Sequence, residues 1–230
     1  MALHLKAADW WKIGILSAVF IGGVLASYQI LKPEPRLPIY NPSDLNERLV
    51  DENLRSKGKD HRVLPFALYN QYGDTIHLDD VEDKIYVADF FFTTCPGICK
   101  DMAQQKRRLQ KELKDDSLFA LVSHTVTPGI DSVPVMQDYA ERQGAIRGKW
   151  QLLTGPKEEI YRLARKSYFA VLDSAESGKD GSPEDFIHTE NFVLVDPDQR
   201  IRGYYDGTSA EDIDRLLEDY AILRQEYRPE

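Results

Sequence analysis

The sequence predicts an α/β domain carried behind one apolar segment. Three observations predict it. After residue 63, strand-like runs alternate with amphipathic helical stretches; the run IYVADFFF at 85–92 is almost continuously apolar; and IGILSAVFIGGVLASYQIL at 13–31 carries no charge. Alternating strands and helices build layered α/β sheets, and an apolar strand without two-residue alternation suits a position covered on both faces.

Composition narrows the function. The 230 residues carry a formal charge of −9 and no Lys/Arg-rich run, so the basic footprint that neutralises phosphates is missing and no nucleic-acid partner is expected. The two cysteines, Cys95 and Cys99, stand four positions apart. A secreted disulfide scaffold uses more cysteines over a shorter chain, so this pair suggests a local redox or metal site, the alternative being two small buried core residues.

The N-terminal segment is bracketed by Lys12 and Lys32, with Trp10, Trp11 and Tyr28 near the interfaces. About 20 apolar residues cross a bilayer, and aromatics favour the headgroup level. We therefore expect a short tail over 1–12 and a transmembrane anchor over 13–31. Read instead as a secretory signal, the segment would be cleaved near Val24-Leu25-Ala26; either reading exports the rest of the chain. Lys6 and Lys12 suggest an N-terminus inside, which leaves the soluble domain on the periplasmic face of a bacterial-type inner membrane. Residues 32–62 hold KPEPRLPIYNP and LRSKGKDHR. Proline fixes φ and removes a donor, so this stretch reads as a linker, with a short helix possible from Asn41-Pro42-Ser43-Asp44.

The domain is expected over 63–230. VLPFALYNQYGDTIHL alternates around Tyr72-Gly73-Asp74 and reads as a β-hairpin. The central strand at 85–92 runs straight into TTCPGIC. A helix follows to about Lys114, with Met102, Leu109 and Leu113 on one side and Lys and Arg on the other. LFALVSH is a second strand, 131–143 a helix with Pro134 in its first turn, WQLL a third strand, and KEEIYRLARKSY a helix opened by Gly155-Pro156. NFVLV and RIRGYY flank Asp196-Pro197-Asp198 as a closing hairpin. Ser209 and Asp212 resemble a capping box for a last helix that buries Ile213, Leu216, Leu217, Tyr220 and Leu223. The order β-α-β-α-β-β-α after the first hairpin is that of a thioredoxin-like fold.

TTCPGIC sets both thiols where a buried strand meets a helix. Free N–H groups and partial positive charge at a helix N-terminus favour thiolate, so a lowered cysteine pKa is expected, with both sulfurs facing one side of the first turn. Thioredoxin-type catalysts use C-x-x-C; the extra residue here suits a pair able to open around a metal. Two thiolates are soft ligands for Cu(I), zinc or iron–sulfur chemistry; zinc wants four ligands, whereas Cu(I) is content with two or three. The third ligand should be His or Met. His188, before NFVLV, His124, at the end of the second strand, and Met102 are candidates, with Met102 expected in the core. His61 and His77 are expected to be solvated or structural.

The segments DFFFTTCPGICKDM, SHTVTPGIDSVPVM and FIHTENFVLVDPDQRIRGYYDG resemble the SCO/SenC family of copper chaperones for cytochrome c oxidase assembly. The likeness covers about 63–227. Its CPxxC cluster and distant histidine map onto Cys95, Cys99 and His188, which the resemblance implies as metal ligands for Cu(I) or Cu(II). It also implies delivery to the dinuclear copper centre of oxidase subunit II from a domain held at the membrane by the N-terminal helix. Gly97 stands where many relatives have Asp, and His124 replaces a small aliphatic residue; both bear on copper affinity and partner choice. The alternative is a thiol–disulfide reductase, Cys95 attacking and Cys99 resolving, that keeps a partner's copper-site cysteines reduced. A peroxiredoxin is discounted, because Phe92 and Pro96 occupy the positions three residues before Cys95 and Cys99 where Thr or Ser would be needed. The apo protein is expected to oxidise to a Cys95–Cys99 disulfide.

Overall fold

The computed structural model describes residues 10–32, 35–45, 50, 60–171, 187 and 189–227. The chain divides into two units, 1–35 and 36–230. The first contains helix α1 (Trp10–Leu31), whose stretch Trp10–Tyr28 has a mean hydropathy of 1.5 and is long and apolar enough to cross a membrane.

The second unit is built on one mixed sheet in the order β2-β1-β5-β4-β3-β6-β7. Its strands are β1 (Ala67–Asn70), β2 (Thr75–His77), β3 (Ile85–Phe91), β4 (Phe119–Thr125), β5 (Trp150–Thr154), β6 (Asn191–Val195) and β7 (Ile201–Asp206). β3, β4 and β5 run parallel, while β6 and β7 on one side and β1 and β2 on the other are antiparallel. Parallel neighbours need crossover helices: α2 (Ile98–Glu112) joins β3 to β4, and α3 (Val133–Gln143) joins β4 to β5. A short α4 (Lys157–Arg162) follows β5, and α5 (Ala210–Glu226) ends the fold. This is the expected α/β thioredoxin-like architecture with its N-terminal β-hairpin. In that hairpin Gly73 takes φ +84°, and the Asn70 carboxamide oxygen accepts from the N–H groups of Tyr72 and Asp74 at 2.9 and 3.0 Å.

All seven residues of β3 are buried. Its side chains alternate between two cores: Ile85, Val87 and Phe91 face Met102 and Leu109 of α2, Met136 of α3 and Ile213 of α5, and Tyr86, Ala88 and Phe90 face Ile160 and Tyr161 of α4. The expected helix after Gly155-Pro156 is α-helical only to Arg162, then widens over Leu163–Ser167. α5 is capped by Ser209, whose hydroxyl accepts from the Asp212 N–H at 3.2 Å.

The proline-rich stretch meets the outer edge of the sheet. The Tyr40 N–H donates to the Ile201 carbonyl at 2.9 Å, and the Arg202 guanidinium donates to the carbonyls of Pro38 and Leu37 at 3.0 and 2.8 Å. The stretch read from its prolines as a semi-rigid spacer is docked at 37–41. Proline removes donors, but the carbonyls of an extended chain still accept, and Arg202 supplies the donors. The Asn41 start signal yields a single turn, Pro42–Asp44.

Candidate metal centre

β3 ends at Phe91, and four residues later the chain presents Cys95. The first helical residue of α2 is Ile98, with Gly97 at its N-cap and no side-chain cap. Cys95 thus lies in the loop before the helix, and only Cys99 belongs to the first turn. This departs from the expectation of two sulfurs on one helical turn. The thiols still meet: both are free, Cys95 half-buried and Cys99 buried, and their sulfurs share a hydrogen bond. The expected fall in pKa is also reversed at Cys99. Burial, followed by the hydrogen bond with Cys95, holds its thiol well above the usual range, against the opposing pull of a Phe92 backbone hydrogen bond and the Lys106 charge. Desolvation of a second-position side chain outweighs the helix terminus here.

The loop is fixed from the side by Asp131, which is fully buried. Its carboxylate accepts from the Thr93 N–H at 3.2 Å and the Thr93 hydroxyl at 2.5 Å, from Thr127 Oγ1 at 2.9 Å, and from Thr125 Oγ1. One carboxylate therefore ties the residue two before Cys95 to the end of β4 and the turn before α3. Acceptors of this charge-assisted kind are the stronger hydrogen bonds.

Beneath the dithiol lies a buried ion pair. Lys106 Nζ sits 2.5 Å from Asp89 Oδ2, with the two side chains 1 % and 0 % exposed. Ser123 donates to Asp89, and Trp150 Nε1 donates to Ser123 Oγ at 2.9 Å. The ammonium also lies 5.1 Å from the Phe91 ring centroid and 5.2 Å from that of Trp150. The basic run of α2 was expected to face solvent, and Arg107 and Arg108 do so at least in part. Lys106 points inward instead. Nothing in KRRLQK distinguishes it; the signal was Asp89, the one charge in an otherwise apolar central strand.

Cys95 and Cys99 open onto a cleft of about 130 Å³ between α2 and α3, lined also by Phe92, Thr93, Lys100, Tyr139, Arg142 and Gln143. Tyr139 packs its ring 5.3 Å from that of Phe91. Its hydroxyl is held above the usual phenol range by burial, then by the Asp89 carboxylate and the two thiols.

The dithiol supplies two soft donors, which fits a thiophilic ion. Among the described residues no group of three His, Cys, Asp or Glu side chains gathers around one point. His188 lies outside the described residues. His124 does not join the cysteines: it is fully buried on the face of the sheet away from α2, stacked 5.1 Å from Phe90 and 5.4 Å from Tyr168. Burial lowers its pKa to about 4, and its Nε2 has no hydrogen-bond partner among the described residues. Met102 is in the core, as expected. His61 is structural, its Nε2 2.7 Å from the Ser167 carbonyl, and His77 is exposed.

A strand-to-helix dithiol on a thioredoxin-like sheet defines a class of thiol-bearing redox and metal-handling domains. Within it, this chain belongs to the SCO1/SenC family, whose profile matches residues 55–223. It is 31 % identical over 161 residues to the SCO1 protein homolog of Bacillus subtilis, covering 69 % of this chain and 81 % of that one. It is 26 % identical over 165 residues to a Stutzerimonas stutzeri protein described as copper-binding, covering 70 % and 77 %. The solved structure of BsSco, described as a member of the Sco family of cytochrome c oxidase assembly proteins with a disulfide switch, superimposes with a TM-score of 0.59 at 28 % identity, over 71 % of this chain and 94 % of that one.

Proposed function

We propose that this protein is a membrane-anchored copper chaperone for cytochrome c oxidase assembly, with Cys95, Cys99 and His188 as the copper ligands. The observation that carries the reading is the pair of hydrogen-bonded thiols opening onto a cleft, in a family with copper-binding and oxidase-assembly relatives. The register of the sheet supports His188 as third ligand. β6 runs antiparallel to β3 with Val193 opposite Ala88, so the chain enters β6 at the end of the sheet from which the Cys95 loop leaves. Two thiolates and one imidazole would hold Cu(I), or Cu(II) when the ion is oxidised. The recipient is the dinuclear copper centre of oxidase subunit II. α1 is the anchor, and the domain works on the periplasmic face.

The test is a Cu(I) titration of the reduced full chain in neutral detergent against a competing chelator, with Cys95→Ala and His188→Ala alongside. One equivalent is expected, with affinity falling by about tenfold or more in each variant, at least as far as loss of an outer-shell partner lowers metal affinity. Parent protein that does not bind would sink the reading. A second reading, thiol–disulfide reductase, is favoured by one observation: Cys95 is the more exposed thiol and Cys99 the buried one, the asymmetry of an attacking and a resolving cysteine. Unchanged binding in His188→Ala, with a dithiol potential that reduces partner disulfides, would select it.

A further inference from the structure

The cleft beside the dithiol is cationic on an acidic protein. Lys100, one residue beyond Cys99, and Arg142 of α3 both line it and are exposed. Among the described residues, neither pairs with a carboxylate, whereas neighbouring Arg108 is bound by Glu112 and Asp214. The chain as a whole carries −9, so two cations without a carboxylate partner among the described residues, lining the cleft onto which the thiols open, are a local reversal of sign. The cleft also has an apolar element in Phe92 and Tyr139. Charge complementarity of this kind selects partners and raises their association rate.

We propose that this cleft docks an acidic segment of the metal-exchange partner, a carboxylate-bearing stretch beside the partner's own thiols. Lys100 and Arg142 are its recognition residues, Phe92 and Tyr139 its apolar wall, and Cys95 the point of exchange. The proposal rests on the chaperone reading for the identity of the cargo, but the docking itself needs no metal. A partner whose thiols are flanked by Lys or Arg would be repelled, which gives the site discrimination as well as attraction.

Two fluorescein-labelled peptides test it, one of Gly, Ser and four Glu and the other with Gln at those four positions. Each is titrated by anisotropy with the reduced apo full chain in neutral detergent. At about 20 mM salt the Glu peptide should bind at least about tenfold more tightly, and the preference should vanish near about 0.5 M salt. Lys100→Glu with Arg142→Glu should abolish the preference, Lys100→Arg with Arg142→Lys should keep it, and Lys111→Glu, at the far end of α2, should leave it unchanged. Equal affinity for both peptides, or a preference that survives the double reversal, overturns the proposal. In a second arm, the Cu(I)-loaded chain is mixed with dithiol peptides carrying Glu or Gln between their cysteines, and the Glu peptide should take copper about tenfold faster at low salt. A chain that holds no copper but keeps the Glu preference would defeat the chaperone reading alone. A chain that binds copper but shows no preference would defeat the docking proposal alone.

Discussion

Among the described residues, a buried ion pair lies beneath the dithiol and another at the far edge of the sheet, and they solve the same problem differently. Under the site, Lys106 has one carboxylate, a serine hydroxyl at 3.3 Å and two aromatic faces. At the edge, Arg202 donates to Asp196 at 2.8 Å, Glu226 at 2.9 Å and the carbonyls of Leu37 and Pro38. A guanidinium offers five donors in a fixed plane and can staple three segments, here β7, α5 and the docked chain at 37–38. An ammonium is a point charge that ring quadrupoles can partly compensate. Asp196 is held besides by Arg200 and Tyr227, each at 2.9 Å. The edge network is mechanical. The pair under the dithiol is electrostatic: its cation pulls the Cys99 thiol downward against burial.

Breaking the edge should cost most. Arg202→Ala removes the hydrogen bonds to four partners and leaves part of a buried carboxylate set uncompensated, so urea unfolding should lose about 4 kcal/mol, within the range for a buried pair missing one partner. Hydrogen exchange should show 37–41 released while the dithiol loop stays protected. Lys106→Met should cost less, about 3 kcal/mol, because it leaves one carboxylate without its cation, still bonded to Ser123, where the edge leaves two. Adding Asp89→Leu should recover part of the loss. A Lys106→Met loss equal to or larger than that of Arg202→Ala would mean that the carboxylate under the dithiol, and not the edge network, is the costlier to leave unpaired.

His124 sharpens the comparison, being a buried polar group with one nitrogen unpartnered. Its folded pKa of about 4 lies below the ordinary 6.5, so the unfolded chain binds the extra proton first. Its contribution to stability is intact above pH 6.5 and is lost as the pH falls toward 4, amounting to about 2 kcal/mol at pH 5. His61, also lowered chiefly by burial, adds in the same direction. His124→Phe should flatten the slope of urea-unfolding stability between pH 6.5 and 5. An unchanged slope would assign it to other groups. The smallest effect is at Asp131. Asp131→Asn keeps an acceptor but loses its charge, and should cost about 1–2 kcal/mol. Its signature is local: faster hydrogen exchange over 92–95, with Arg202's network undisturbed.

The element order was legible because each segment announces itself locally. Ile85–Phe91 reads as a central strand from its apolar run, the β1–β2 turn from Tyr72-Gly73-Asp74, and the last helix from Ser209 and Asp212. The cysteine pair was legible from spacing alone, whereas its surroundings were not. Asp131 looks like an ordinary residue before a helix, Lys106 like its solvent-facing neighbours, and residues 37–41 like a spacer. Each acquires its role from a partner distant in sequence, 38 positions for Thr93–Asp131 and 165 for Leu37–Arg202.

By itself, then, the sequence determined the strands, helices and turns, the apolar N-terminal helix, and the two thiols at a strand-to-helix junction, since periodicity, turn residues and capping act within a few residues. Only the tertiary structure decided which charges go inside, which way the Cys99 pKa moves, and which cations line the cleft. Burial and charge pairing are properties of neighbours in space, and the sheet that brings β3, β4 and β6 together chooses those neighbours.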